Sequence, residues 1–392
     1  MNVENLADEA MQVANSIMPE LYGLSRTIFL HPEPAWKEFI AASEIRKILA
    51  KEGFRIEDGG ADMPTAIRAS RPWRSEAIHI GFIGEYDALP IGHACGHNLI
   101  AATGVGAAIA FERCVQKYGL NAQAVFLGTP AEEGGGGKIA MLERGMFRDV
   151  QYAMMIHPCD ATMVEDWSLA GQTVTFRFHG RSAHCAASPW LGANALAAAT
   201  ETINMVNAWR NQFKDYSRVF PIISQGGRAT NVIPDFAEIQ YNIRSDELEY
   251  HQKLVNIVTR CAECAAEAFG VTIEYSKTIA YAPVKNDQRL EKAMKTAFEK
   301  LGKTVIPRYR DHGIGSTDMG NVSQVLPAIH AHLYLTDGNT HTEKFKNAAG
   351  GEEGQRYLPD AVKAMTMAGI YLLADLGLIP QDSDPGKDNT KE

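Results

Sequence analysis

The chain has 392 residues, 45% hydrophobic and 22% charged, the composition of a folded globular protein long enough for two domains. Its formal net charge of -9 argues against a nucleic-acid partner, which a basic face would mark. Six cysteines without dense spacing point to a reducing compartment, and no apolar run reaches the roughly 20 residues that span a bilayer.

The N-terminus, Met1 to Glu20, is acidic and lacks the apolar core of a signal peptide, so a cytoplasmic protein with no membrane partner is expected. Residues 3 to 30 read as a helix, with Ile17, Leu21, Leu24 and Ile28 at helical spacing. His31-Pro32-Glu33-Pro34 breaks it, and a second helix is predicted from Trp36 to Glu52, with Gly53 as its C-cap. Ala77 to Ile83 is a buried strand. It runs into a loop holding Asp87, His93, Cys95 and His97, after which Leu99 to Lys117 reads as a small-residue helix ending at Gly119. A strand at Ala124 to Leu127 leads to Glu132, Glu133 and four glycines, then to a short helix at Ile139 to Arg144. A third strand, Tyr152 to Ile156, terminates in His157-Pro158. Three strands thus deliver Asp87, Cys95, His97, Glu132, Glu133 and His157 to what reads as one sheet edge, the usual mounting place for chemistry in α/β proteins.

The pattern changes near Ala170. Strands at 173–178, 219–223, 236–244 and 271–275 and helices at 194–213 and 247–269 follow in the order β-α-β-β-α-β, a ferredoxin-like split unit. We read 170–282 as an inserted domain and 1–169 with 283–392 as the main α/β domain. Past Pro283 come a helix at 287–301, the glycine-rich segment His312 to Asp318, an apolar strand at 328–335, the polar loop holding His341, and a last helix at 357–376. The charged tail beyond Pro380 reads as disordered.

Cys95 and His97 flank a glycine, so their side chains can converge on one point, as metal ligands must. Set beside Glu133 and His157, they form a sulfur, nitrogen and oxygen donor set suited to zinc or another transition metal. Glu132 and Glu133 are adjacent, so one carboxylate can bind metal while the other acts on its water. Asp87 is the expected partner for a ligand imidazole's other N–H. A nucleophilic Cys95 is the competing reading. It leaves the paired glutamates unexplained. Cys261 and Cys264, a C-x-x-C on an amphipathic helix with no strand before it, read as packing rather than redox chemistry.

Leu89-Pro90-Ile91-Gly92-His93-Ala94-Cys95-Gly96-His97, Pro130-Ala131-Glu132-Glu133 with its glycines, and His157-Pro158 together resemble the M20 metallopeptidase/amidohydrolase family, nearest its subfamily D. Within that branch, Asn98, Ser188 to Asn194 and Gly315 to Gly320 look most like the aminobenzoyl-glutamate hydrolase and peptidase M20 domain-containing protein 2 group. The resemblance implies an aminopeptidase-like catalytic domain, with a central mixed sheet flanked by helices, and an inserted dimerisation or lid domain. It implies two divalent metal ions per subunit, zinc or manganese and otherwise cobalt or nickel. Cys95 would bridge them, with His97, Glu133, His157 and His341 completing the ligands and Glu132 as general base and acid. It implies a homodimer in which His184 of a partner's insert helps hold substrate, while Asn231 and Arg244 grip the substrate carboxylate. Glu85 stands where other branches carry a histidine, and Asn98 where much of this branch carries Asp.

The expected activity is hydrolysis of the amide of an N-acyl amino acid or unusual dipeptide, aminobenzoyl-glutamate-like or β-alanyl-dipeptide-like, by a metal-bound hydroxide. The alternatives are a non-catalytic metal-binding homologue and a cysteine-dependent amidase.

Overall fold

The computed structural model describes residues 2–165, 167–307 and 315–379. His312 and the tail beyond Pro380 lie outside these described residues. The chain forms two compact units. One takes the described residues of Met1–Trp167, Val284–Gly313 and Asn321–Glu392, the other those of Ser168–Pro283 and Ile314–Gly320.

The first unit opens with α1 (Val3–Leu30), α2 (Phe39–Lys51), β1 (Arg55–Asp58), β2 (Ile67–Ser70) and β3 (Ile78–Glu85). It continues with α3 (His97–Tyr118), β4 (Ala122–Thr129), α4 (Glu132–Gly135), α5 (Gly137–Glu143) and β5 (Tyr152–Cys159). In the second unit lie β6 (Ala170–His179), α6 (Ala195–Trp209), β7 (Arg218–Gln225), β8 (Phe236–Ser245), α7 (Leu248–Ala268) and β9 (Thr272–Lys277). The chain then adds α8 (Gln288–Lys300), α9 (Met319–Val325), β10 (Ala328–Tyr334), α10 (Glu343–Gly350) and α11 (Glu352–Asp375).

The first unit is built on a mixed sheet ordered β1-β2-β4-β3-β5-β10, in which β4, β3, β5 and β10 run parallel. Their C-terminal ends therefore share one edge. The strands are buried runs rather than alternating ones, as both-side burial requires, and α1, α3, α8 and α11 share the core with them. Helix α3 can lie close on β3 because Gly104 has no side chain: a Cβ there would stand 2.6 Å from the carbonyl oxygen of Ile83. By length and composition α3 could cross a membrane, yet 94% of its apolar window is buried inside the protein, so it is a core helix.

Several boundaries depart from the sequence expectation, among them these three. Helix α2 starts at Phe39 rather than Trp36, because Trp36 sits at φ 67° and its N–H goes to the Glu38 carboxylate. His157 lies within β5 and not past its end; Pro158 falls beyond Met154, the last residue paired to β3, so on that side its missing N–H breaks no ladder bond. Helix α11 begins at Glu352, five residues before the expected Tyr357, with Gly351 at its N-cap.

In the second unit the antiparallel sheet is ordered β7-β8-β6-β9, the ferredoxin-like order. Val174, Phe176 and Phe178 of β6 and Ala237, Ile239, Tyr241 and Ile243 of β8 point to one face and bury against α6 and α7. Cys261 of α7 joins this core while Cys264 is exposed, and neither forms a disulfide.

Candidate metal centre

Each participating side chain arrives from the end of a parallel strand. After β3 the chain turns through Asp87 and His93 to Cys95, and Gly96 (φ 76°) reverses it into α3, whose first residue is His97. After β4, Ala131 takes φ 54°, and Glu133 has non-helical torsions (φ -71°, ψ 63°), so the turn that carries the adjacent Glu132 and Glu133 is not a regular helix. His157 comes from β5. His341 follows β10 at φ 65°, and its N–H donates to the carbonyl of Ala94 at 2.9 Å, tying its loop to the cysteine loop. Left-handed backbone at two non-glycine residues beside one cluster costs of order 1–3 kcal/mol each and is characteristic of functional sites.

These residues converge. Cys95 Sγ lies 3.6 Å from His157 Nε2 and 3.5 Å from His341 Nε2. Glu133 Oε1 lies 3.5 Å from His341 Nε2 and 4.0 Å from His97 Nε2. Cys95, His97 and His157 bring ligand atoms within 4.8 Å of one another, as do Cys95, Glu133 and His341, and as do His97, Glu132 and Glu133. The first two groups share Cys95.

Asp87 fixes the orientation of His97. Nδ1 of His97 is 2.9 Å from the Asp87 carbonyl and 3.1 Å from its Oδ1, so that nitrogen carries the hydrogen and Nε2 is turned to the cluster. The other Asp87 oxygen accepts the N–H of Glu133 at 2.9 Å. Burial would lower the His97 pKa, but Asp87 and then Cys95 and Glu85 outweigh it and raise it well above the ordinary value. Such an anionic pocket calls for positive charge. His157 is pushed down to about 3, by burial first and His330 second, and so stays neutral as a ligand imidazole must. Burial raises the Cys95 thiol far above its usual range, which makes it a poor nucleophile without a cation to deprotonate it.

The donor set fits a divalent cation. Nε2 of His97 and Oε1 of Glu133 are buried and make no hydrogen bond, although protein interiors seldom leave such atoms unsatisfied. Thiolate sulfur, imidazole nitrogen and carboxylate oxygen facing a common point can all be satisfied at once by a metal.

Residues that sequence reading passed over support the loops. Glu38, fully buried, accepts from Ala131 N–H at 2.9 Å and from Thr65 Oγ1 at 2.8 Å, holding the turn before Glu132. Lys138, also fully buried, pairs with Glu85 at 2.5 Å. Asn98 donates to Ser25 and to the Ala349 carbonyl, so the carboxylate partner of His97 Nδ1 among the described residues is Asp87. His184, Asn231 and Arg244 belong to the second unit. The segments of the first two run side by side, with Cys185 N–H donating to the Asn231 carbonyl at 3.1 Å, and both residues are exposed. Arg244, half-buried on β8, donates to Asn242 Oδ1 and Ser316 Oγ.

His93 anchors the cysteine loop through Nε2, 3.0 Å from the Ile28 carbonyl at the end of α1. Burial, then His97, pushes its pKa down to about 4. Between about pH 6.5, where a free imidazole titrates, and pH 4, the unfolded chain binds a proton here that the fold does not. This contribution to stability is therefore complete above pH 6.5 and is lost as pH falls toward 4, by up to about 3 kcal/mol. Urea denaturation of His93→Gln across that range is expected to show a shallower acid limb than the parent; parallel limbs would contradict it.

The family described as Peptidase family M20/M25/M40 matches residues 81–364. The mouse Xaa-Arg dipeptidase is 35% identical over 391 residues, covering 95% of this chain and 90% of the mouse protein. The human Xaa-Arg dipeptidase is 36% identical over 375 residues, covering 90% of this chain and 85% of the human protein. One of the p-aminobenzoyl-glutamate hydrolase chains of Escherichia coli is 33% identical over 295 residues, covering 70% of this chain and 61% of its own length. A Bacillus subtilis structure described as a dinuclear metal binding peptidase from the M20 family superposes with a TM-score of 0.70 over 93% of this chain and 100% of that one. At 21% identity that likeness is one of fold.

Proposed function

The chain belongs to peptidase family M20/M25/M40, hydrolases of peptide and amide bonds, and from that premise we propose that the Cys95 cluster is a two-cation centre cleaving the amide of an N-acyl amino acid or dipeptide with a free carboxylate. The observation that carries this reading is the pair of donor groups sharing Cys95. Cys95, His97 and His157 would hold one divalent cation and Cys95, Glu133 and His341 the other, with zinc and manganese the first choices and cobalt or nickel next. When bound, the cations polarise the amide carbonyl and lower the pKa of water.

Glu132 is then the general base and acid: it takes the proton from water and delivers it to the leaving nitrogen. Asp87 keeps Nε2 of His97 aimed at the cation by holding the hydrogen on Nδ1. His184, from the insert of a partner copy, supports the developing oxyanion. Asn231 and Arg244 bind the carboxylate, for which an Arg fork suits. We assign the parts around 1–169 and 283–392 to catalysis and 170–282 to dimerisation. The edge strand β7, with Phe220, Ile222 and Ile223 exposed, supports pairing with a second copy. Six free cysteines support a reducing, cytoplasmic setting.

Amine release from a panel of N-acyl amino acids, p-aminobenzoyl-glutamate, β-alanyl dipeptides and Xaa-Arg dipeptides tests this reading. Turnover of at least one class is expected, and none across the panel would sink it. For the best substrate, Arg244→Ala is expected to raise KM roughly 10- to 100-fold with a smaller change in kcat. An unchanged KM would remove Arg244 from the carboxylate site.

A further inference from the structure

Glu85, the last residue of β3, is 1% exposed. Its Oε1 accepts from Nζ of Lys138 at 2.5 Å, in a pair sealed from solvent on both sides. A buried ion pair is seldom repaid in stability, since desolvating both charges offsets most of their attraction, so its presence calls for another reason. The second oxygen supplies one. Oε2 of Glu85 makes no hydrogen bond and lies 3.5 Å from Nε2 of His97, the nitrogen that Asp87 leaves free. Glu133 Oε1, 4.0 Å from the same nitrogen, is also without a hydrogen bond. Two buried carboxylate oxygens beside this imidazole nitrogen, all three without a hydrogen bond, are an arrangement that a cation in their midst satisfies at once.

We propose that Glu85 is a further carboxylate of the metal centre, with Oε2 a donor to the cation held by His97 and Lys138 a positioning residue that holds Oε1 and so aims Oε2. This rests on the two-cation reading above and adds a ligand to it. Lys138 acts on the site through Glu85: its ammonium donates to one oxygen and so orients the carboxylate.

The test is manganese binding by Glu85→Gln, which keeps the shape and the contact to Lys138 but removes the charge. Free manganese is counted by electron paramagnetic resonance during titration of the metal-stripped full-length protein. The parent is expected to take two ions per subunit, and Glu85→Gln to bind one of them at least about 10-fold more weakly, with the melting temperature of the metal-free protein little changed. Equal affinity in both proteins, with or without a lower melting temperature, would overturn the proposal and leave a structural ion pair. A parent that binds no manganese or zinc would instead overturn the two-cation reading, and this inference with it. A second measurement needs no variant. Anomalous scattering from zinc-loaded crystals of the parent is expected to place an ion about 2.0–2.2 Å from Oε2 of Glu85; an ion on His97 well outside that distance would contradict the proposal.

Discussion

Glu132→Gln is expected to lower kcat roughly 10²- to 10⁴-fold, the usual contribution of a general acid and base, while the protein keeps its full complement of cations. The reason lies in where the two adjacent acids stand. Ala131 at φ 54° and the non-helical torsions of Glu133 break the turn that carries them, and each brings an oxygen within 4.8 Å of the other and of a His97 nitrogen. Glu133 is tied by its N–H to Asp87 and reaches His341, a ligand's position. Glu132 brings an oxygen within 4.8 Å of His97 and Glu133 donor atoms and belongs to neither of the two groups that contain Cys95. Removing its charge therefore takes away the proton carrier and leaves the cation donors in place. Glu133→Gln should differ in kind, losing an ion as well as activity. The check is kcat measured alongside elemental analysis of the same preparations. A Glu132→Gln protein that stays within a few-fold of the parent, or that has lost metal, would remove Glu132 from the proton-transfer role.

Cys95→Ala is the second large effect. Cys95 is the one residue common to both donor groups, so its loss is expected to weaken both sites together and to take activity below detection. The fold itself should tolerate the change, because the thiol is small and buried and its contacts are to the cluster. At a cation concentration about 1,000 times its dissociation constant, one bound ion stabilises the native state by about 4 kcal/mol. Thermal melts with and without added manganese read this directly: the parent should gain stability from the metal, and Cys95→Ala should gain little. A variant that is inactive yet still stabilised like the parent would return Cys95 to the role of nucleophile.

Much of this was visible in the residues because the chemistry sits where buried strands end. The runs that became β3, β4 and β5 are apolar and bounded by polar loops, so the edge carrying Cys95, His97, Glu132, Glu133 and His157 could be read in advance. The ferredoxin-like order was equally legible, since β6 and β8 alternate cleanly and α6 and α7 have one apolar face. Short elements were not. β1, Arg55–Asp58, offers neither an apolar run nor a clean alternation, and β2 buries Arg68 at 3% exposure against expectation. α10 hides directly behind the His341 loop and stops at the Gly350-Gly351 step. Lys138 reads as a solvated helix residue, and only tertiary packing reveals it buried against Glu85. His341, in a polar loop, joins the cluster through the backbone bond to Ala94, a contact between residues far apart in the chain.

Amide hydrolysis by this chain is expected to depend on cations held by these donors. Purified protein is stripped with chelator, then titrated with manganese while amine release from its best panel substrate is followed. Hydrolysis should vanish on stripping and return in proportion to bound metal, reaching its plateau at two ions per subunit. Undiminished hydrolysis by the stripped protein would contradict the account.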